Sequence, residues 1–211
     1  MFELQTTTSS SPDPRTTLVS ELGLTLLKTN ALKIGSFETT DGKLTPYFID
    51  LRKIPSIPSA LSTATRCLEY AYAERSKSFD SEYVCGIPIP GLILSSILAS
   101  DRELPLIYPS RLHPNSVIGL LKPGAGVVVI DDVSETGLSI KAAIQAVRAS
   151  GGVVNHALTL IDRGEGADKI LSEVSVMLHH FTTIDELAST LRKNMALSDE
   201  QIEALEGANT K

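Results

Sequence analysis

One stretch near the middle of the chain constrains the fold more than any other. Four consecutive apolar residues at 127–130 are followed by Asp131 and Asp132, and then by a short run of small and hydroxyl residues. Apolar side chains next recur with the spacing of one helix face from Ile140 to Val147. A buried strand that leads through a loop into a helix is the building unit of a parallel α/β sheet.

The loop between this strand and helix has the properties of a phosphate site. Backbone N–H groups and the helix dipole attract anions at a helix N-terminus, and Gly137 allows close approach. Hydroxyl groups that could donate to a phosphate belong to Ser134, Thr136 and Ser139. Asp131 and Asp132 instead suit sugar hydroxyls, or a Mg²⁺ that the ligand brings. These properties together describe a ribose 5-phosphate site; the alternative is an ordinary turn in which an Asp caps the helix.

The stretch resembles the phosphoribosyl-pyrophosphate (PRPP) motif of type I phosphoribosyltransferases: four apolar residues, two acids, then Thr-Gly and a hydroxyl residue. A Walker A loop and a G-x-G-x-x-G fingerprint are both absent. The resemblance implies that PRPP contacts Asp131, Asp132, Val133, Ser134, Glu135, Thr136, Gly137, Leu138 and Ser139. Glu135 departs from the family, which usually carries Thr or Ser there, and a carboxylate should weaken phosphate binding unless it points away.

Length and charge bound the class of protein. The 211 residues suit one full core, and we expect a disordered tail at 1–15 followed by a single domain at 16–211. The net charge of −6 argues against a nucleic-acid partner. No membrane partner is expected, because the sequence has neither an apolar run of spanning length nor a signal pattern. Cys67 and Cys85 lack metal-ligand spacing, which favours core thiols in a reducing cytoplasm.

A stretch nearer the N-terminus narrows the resemblance. Asp-Gly at 41–42 predicts a turn between two strand-like runs, which would form an antiparallel hood over the main sheet. The run Thr-Pro-Tyr-Phe-Ile-Asp-Leu-Arg at 45–52 is similar to the N-terminal region of orotate phosphoribosyltransferases. This resemblance implies that Lys33 contacts pyrophosphate or orotate, and that Tyr47 and Phe48 flank the base. The alternatives are a surface lysine and ordinary hood packing.

A third match follows the strand predicted at 153–161. The residues after it include Asp162, Arg163 and Glu165, and orotate enzymes show a similar Asp-Arg-x-Glu. By resemblance, Arg163 binds the orotate carboxylate, a task that suits a planar guanidinium. The alternative is a salt bridge from Arg163 to Asp162 or Glu165.

Two further loops compare differently with the family. The Pro-Ile-Pro-Gly turn after the strand predicted at 83–87 stands where the family binds pyrophosphate. After the strand predicted at 104–108, orotate enzymes carry a long mobile loop that begins Arg-Lys and reaches into a neighbouring subunit. This chain has a shorter loop with Pro-Ser at 109–110, so Arg111 and His113 are its candidate catalytic cations, together with the acidic pair.

The alternation of strands and helices predicts an α/β protein with a parallel sheet, flanked by helices on both faces. The resemblance adds a small N-terminal hood and implies an orotate phosphoribosyltransferase. Such an enzyme transfers ribose 5-phosphate from PRPP to orotate in UMP synthesis, giving orotidine 5′-monophosphate and pyrophosphate. It implies Mg²⁺ near Asp131 and Asp132, and a homodimer. Two alternatives remain: an impaired PRPP- or nucleotide-binding regulator or partner of a homologue, and a transferase for another base, which Arg163 opposes.

Overall fold

A computed structural model of the chain describes residues 13–38, 44–113 and 115–206. Its helices in these ranges are α1 (Pro14–Lys28), α2 (Pro58–Phe79), α3 (Pro90–Asp101), α4 (Leu138–Ala149), α5 (Ala167–Ser172), α6 (Ile184–Lys193) and α7 (Asp199–Glu206), with a short 3-10 helix at Leu51–Ser56. The strands are β1 (Leu32–Glu38), β2 (Leu44–Ile49), β3 (Tyr83–Gly86), β4 (Leu106–Pro109), β5 (Val117–Ile118), β6 (Gly126–Ser134), β7 (Val153–Asp162) and β8 (Met177–Thr183).

The main sheet has six strands in the order β5-β4-β3-β6-β7-β8. Strands β3, β4, β6, β7 and β8 are parallel, as predicted. One edge of the sheet departs from the parallel arrangement, because β5 runs antiparallel to β4 and Tyr108 pairs with Ile118. The connection from β4 to β5 is too short for a crossover, so an antiparallel return is the only pairing available to it.

Helices cover both faces of this sheet, as the sequence predicts. Val128 and Ile130 of β6 belong to a core cluster that includes residues of α1, α2, α3, α6 and α7. Val127 and Val129 belong to a second cluster with residues of α4 and α5. Because successive side chains of a strand point to opposite faces, one apolar strand supplies both clusters.

The hood consists of β1 and β2, which pair antiparallel as predicted. Leu32 and Tyr47 are buried with the larger cluster, so the hood packs on the same face as α2 and α3. The predicted turn at 41–42 lies outside the described residues.

The first helix begins within the segment predicted as a tail. The carboxylate of Asp13 accepts a hydrogen bond from the Thr16 backbone N–H at 3.4 Å, and Pro14 suits the first helical turn. Arg15 forms an ion pair with Glu186 of α6. Residues 13–15 therefore belong to the folded part of the chain, and residues 1–12 of the predicted tail lie outside the described residues. No helix among the described residues has the length and apolar character needed to cross a membrane.

Candidate active site

The acidic pair lies within a strand, not after one. Strand β6 continues through Asp131 and Asp132 to Ser134, four residues beyond the predicted end at residue 130. Asp131 is only 6% exposed, and its Oδ1 accepts the backbone N–H of Asp132 at 2.9 Å. The Ser139 hydroxyl donates to the other oxygen, Oδ2, at 3.2 Å. Two hydrogen bonds therefore fix this carboxylate beside the loop.

Burial raises the pKa of both acids. For Asp131 the burial effect comes first, and the negative charge of Asp132 raises the pKa further, to well above its ordinary value. For Asp132, burial likewise outweighs its hydrogen bonds, and the charge of Asp50 adds to the rise. Hydroxyl donors or a cation would relieve this repulsion, so the pair suits a diol or a ligand-borne metal ion.

Helix α3 begins directly against the acidic pair. A Cβ atom placed on Gly91 would lie 2.8 Å from Oδ1 of Asp131 and 2.9 Å from its Cα, closer than real Cβ contacts. Only glycine allows this approach, so the turn that leads into α3 lies next to the acids.

The predicted phosphate loop joins β6 to α4. Gly137 has φ +79° and precedes the first residue of α4, which leaves the first backbone N–H groups of the helix without a side-chain cap. Thr136 and Leu138 are exposed, and Val133 is half-buried. The hydroxyl of Ser134 is buried and contacts Asp162 at 2.7 Å and Thr159 at 3.2 Å, so this side chain faces β7 instead of the loop. In this structure the Ser134 hydroxyl therefore donates to Asp162 and not toward the loop.

Arg163 lies at the centre of the hydrogen bonds beside this loop. Its side chain is 7% exposed, and its Nε donates to the Tyr47 hydroxyl at 3.1 Å. Nη1 donates to Glu135 at 2.6 Å, and Nη2 lies 2.7 Å from Glu165 and 3.5 Å from Thr45 Oγ1. Burial alone would lower the pKa of Arg163, but Tyr47 and the two carboxylates raise it above its ordinary value. The salt bridge to Glu165, one of the sequence alternatives, is present.

The hood residues divide between two faces. Tyr47 is fully buried, and its ring lies 4.8 Å below the Arg163 guanidinium. Phe48 points to the opposite face of β2, where its ring centroid is 5.8 Å from that of Phe37. Lys33 is exposed and is the register partner of Phe48. The structure therefore brings Tyr47, but neither Phe48 nor Lys33, to Arg163.

The shortened loop after β4 lines a cleft of about 260 Å³ on the α4 side of the sheet. Arg111 lines this cleft together with Pro88 and Ser139, so one candidate cation shares a cleft with a residue that contacts the acidic pair. His113 is exposed, and it is not among the lining residues. Pro114 lies outside the described residues.

Sequence reasoning assigned no role to Asp50 and Arg52, which lie near the acidic pair. The Asp50 carboxylate accepts two side-chain hydrogen bonds from Arg52, at 2.7 and 2.8 Å. This contact is the main cause of the raised pKa of Arg52, and the charge of Asp132 contributes weakly. The available signal was the Ile-Asp-Leu-Arg ending of the hood stretch, but only the packing of the 3-10 helix reveals the proximity.

Comparison with known proteins agrees with this geometry. No family model matches the sequence. The orotate phosphoribosyltransferase of Saccharolobus solfataricus is 33% identical over 180 residues, which are 83% of this chain and 90% of the relative. The orotate phosphoribosyltransferase structure from Aeropyrum pernix is also 33% identical, with a TM-score of 0.69 over 82% of this chain and 99% of that one. A Leishmania donovani UMP synthase structure gives a TM-score of 0.81 at 27% identity, over 90% of this chain and 42% of that one.

The sheet order, the hood and the acidic strand-to-loop junction define a type I phosphoribosyltransferase. Within this class, the chain belongs to the orotate phosphoribosyltransferase family.

Proposed function

We propose that this protein is an enzyme that transfers ribose 5-phosphate from PRPP to orotate, releasing pyrophosphate. One observation carries the proposal: a phosphate-type helix N-terminus, an acidic pair of which Asp131 is buried, and a buried arginine lie together at the carboxyl ends of the strands. Ser134 and Asp162 are register partners on β6 and β7, so the loops that carry Glu135 and Arg163 leave the sheet side by side. Ligands of parallel α/β sheets bind just beyond the carboxyl ends of the strands.

The residues supply most of what the reaction needs. The 5′-phosphate would bind the N–H groups around Gly137, and the ribose hydroxyls would donate to Asp131 and Asp132. Arg163 would pair with the orotate carboxylate. Such a site accelerates the transfer by holding the two reactants in line and by stabilising charge as pyrophosphate leaves.

Mg²⁺ fits this site as an ion that the substrate carries. Asp131 and Asp132 are hard oxygen donors, and Mg²⁺ commonly uses one or two carboxylates together with substrate phosphates. No group of three or more His, Cys, Asp or Glu side chains suited to a metal occurs in the described residues, so a metal cage built by the protein alone is not part of the proposal. When bound, the ion would neutralise charge on the leaving pyrophosphate.

Arg111 is the candidate for leaving-group stabilisation, because it lines a cleft beside Pro88 and Ser139.

A homodimer in the cytoplasm is part of the same proposal. The homodimer is supported by three exposed apolar residues around the edge strand β5: Leu112, Ile118 and Leu120. The reducing cytoplasm is supported by two buried free thiols.

A steady-state assay with orotate, PRPP and Mg²⁺ tests the proposal directly. In calorimetry, the double variant Asp131→Asn plus Asp132→Asn should bind PRPP much more weakly, because charge-assisted hydrogen bonds are worth about 1.5–3 kcal/mol each. The fold should survive, since both substitutions keep the side-chain shape. Unchanged PRPP affinity in the double variant would contradict the assigned role of the acidic pair.

The short loop favours one alternative function, an impaired subunit that binds PRPP without fast turnover. Losing the family's Arg-Lys pair should cost several kcal/mol of transition-state stabilisation. If Arg111 compensates, Arg111→Ala should lower kcat without raising KM, whereas His113→Ala should change neither. PRPP binding without product, or product only after mixing with a loop-bearing homologue, would support the alternative.

A further inference from the structure

Two carboxylates already pair with Arg163, the residue that is proposed to bind the anionic base. Glu135 and Glu165 both pair with the single guanidinium of Arg163, at 2.6 and 2.7 Å. Each glutamate carries a negative charge, and like charges at this range repel each other. An incoming carboxylate is therefore repelled until one of the two glutamates moves away.

The donors of Arg163 lead to the same conclusion. Its Nε bonds Tyr47, Nη2 contacts both Glu165 and Thr45, and Nη1 bonds Glu135. A bidentate pair with a ligand carboxylate needs two neighbouring N–H groups on one edge of the guanidinium. These contacts leave no edge free, so at least one partner must be displaced.

Glu135 is the partner that can leave most easily. Its side chain is 46% exposed, compared with 31% for Glu165 and 7% for Arg163. Glu135 also lies in the loop between β6 and α4, whereas Tyr47 is fixed in the buried face of the hood. Rotation of one exposed side chain into water costs little compared with moving a buried strand residue.

We propose that Glu135 is a positioning residue that occupies Arg163 in the empty site and competes with the carboxylate of the base. This inference rests on the proposed function. While it is paired, the glutamate keeps the buried guanidinium hydrogen-bonded. When orotate enters, its carboxylate takes the place of the Glu135 carboxylate, and one ion pair is exchanged for another.

The proposal predicts that the affinity for orotate rises when the ion pair between Glu135 and Arg163 is removed. Glu135→Gln keeps the side-chain size but removes the competing charge, so orotate should bind about three- to tenfold more tightly. PRPP should also bind more tightly, because Glu135 lies within the loop that would receive its phosphate. Glu165→Gln is the matched control: it removes the other charge on Arg163 but lies outside that loop, so PRPP affinity should not change.

Calorimetric titration of the full chain with orotate and, separately, with PRPP measures these affinities for the wild type and both variants. A purely structural ion pair predicts the opposite sign, since a loosened Arg163 would bind orotate more weakly. If the wild type binds orotate and Glu135→Gln binds it equally or more weakly, the proposed competition is overturned. The proposed function is not affected by that result. Thermal unfolding of each variant, together with Glu135→Thr as a second substitution, shows that any weakening does not come from misfolding.

The failure of the proposed function gives a different result. If neither the wild type nor Glu135→Gln binds orotate or forms product, the base assignment itself is wrong, and the competition is overturned with it. Orotate binding that is detectable only in Glu135→Gln would support the proposal most strongly.

Discussion

At the scale of single residues, the salt bridges of Arg163 are compatible with both interpretations of its side chain. The sequence offered a carboxylate-binding arginine or a salt bridge to a neighbour. The structure contains the salt bridge to Glu165, and it adds Glu135, 28 positions away in sequence. A buried guanidinium needs partners in the empty protein, so its pairing does not oppose a role in binding.

Replacing Arg163 with Ala should therefore affect the two substrates differently. Orotate affinity should fall about 10- to 100-fold, because charge-assisted hydrogen bonds are lost, while PRPP affinity changes much less. Separate calorimetric titrations check this difference. Arg148→Ala is the control, because Arg148 donates hydrogen bonds to the backbone carbonyls of Val174 and Val154 but lies on α4 away from the site. An equal loss of both ligands in Arg163→Ala would indicate a structural role instead.

At the scale of secondary-structure elements, the junction between β6 and α4 depends on one backbone conformation. Gly137 adopts φ +79°, and a Cβ atom there would lie 3.0 Å from Cα of Ala167 at the start of α5. The loop is therefore held between a left-handed residue and a neighbouring helix. This packing determines where the first N–H groups of α4 point.

Gly137→Ala should destabilise the fold by about 1–3 kcal/mol and weaken PRPP binding, because it combines an unfavourable φ with a close contact. Gly124→Ala provides a matched control, since Gly124 has the same φ of +79° with nothing within 4 Å of the added Cβ. Urea denaturation of both variants separates the two costs. A loss of stability no larger in Gly137→Ala than in Gly124→Ala would show that the contact with Ala167 is unimportant.

At the scale of the whole molecule, the sheet edge formed by β5 is the expected surface for self-association. Leu112 and Leu120 are 86% and 92% exposed beside this two-residue strand. Burying such residues in a two-fold interface is favourable, and isologous dimers are the commonest oligomers. Leu120→Glu should therefore convert a dimer to a monomer in light scattering at micromolar concentration. A wild-type monomer would reject this expectation.

Two neighbouring histidines, His156 of β7 and His179 of β8, should make the stability of the fold sensitive to acid. His156 Nδ1 and His179 Nε2 lie 3.1 Å apart, and the ring of Phe79 packs against both. Burial, followed by the charges of His156 and Arg75, lowers the pKa of His179 to about 4. In the unfolded chain its pKa returns to about 6.5.

Between these two pKa values the unfolded state binds more protons than the native state. The free energy of unfolding therefore falls as the pH is lowered from about 6.5 to about 4. His179→Gln should flatten this part of the profile measured by urea denaturation, whereas substitution of the exposed His113 by Gln should leave it unchanged. The same slope in His179→Gln and the wild type would contradict the assignment.

The sequence by itself determined the alternating architecture and the position of the main loop. The apolar residues at 127–130, the acids after them and the helix-period spacing beyond are local signals, and local patterns survive folding. The same signals did not reveal that β6 continues to Ser134 or that β5 closes the sheet antiparallel, because strand ends depend on the neighbours that pair with them.

Only the tertiary structure decided which side chains meet. Tyr47, Glu135 and Arg163 come from three separate parts of the chain, and no local pattern specifies their hydrogen bonds. The burial of the Ser134 hydroxyl and the placement of Phe48 away from Arg163 follow from the pairing of β6 with β7 and from the alternation along β2. The sequence thus specifies the chemistry of each residue, but packing between distant segments determines its partners. The physical reason is that contacts across a sheet do not depend on separation along the chain.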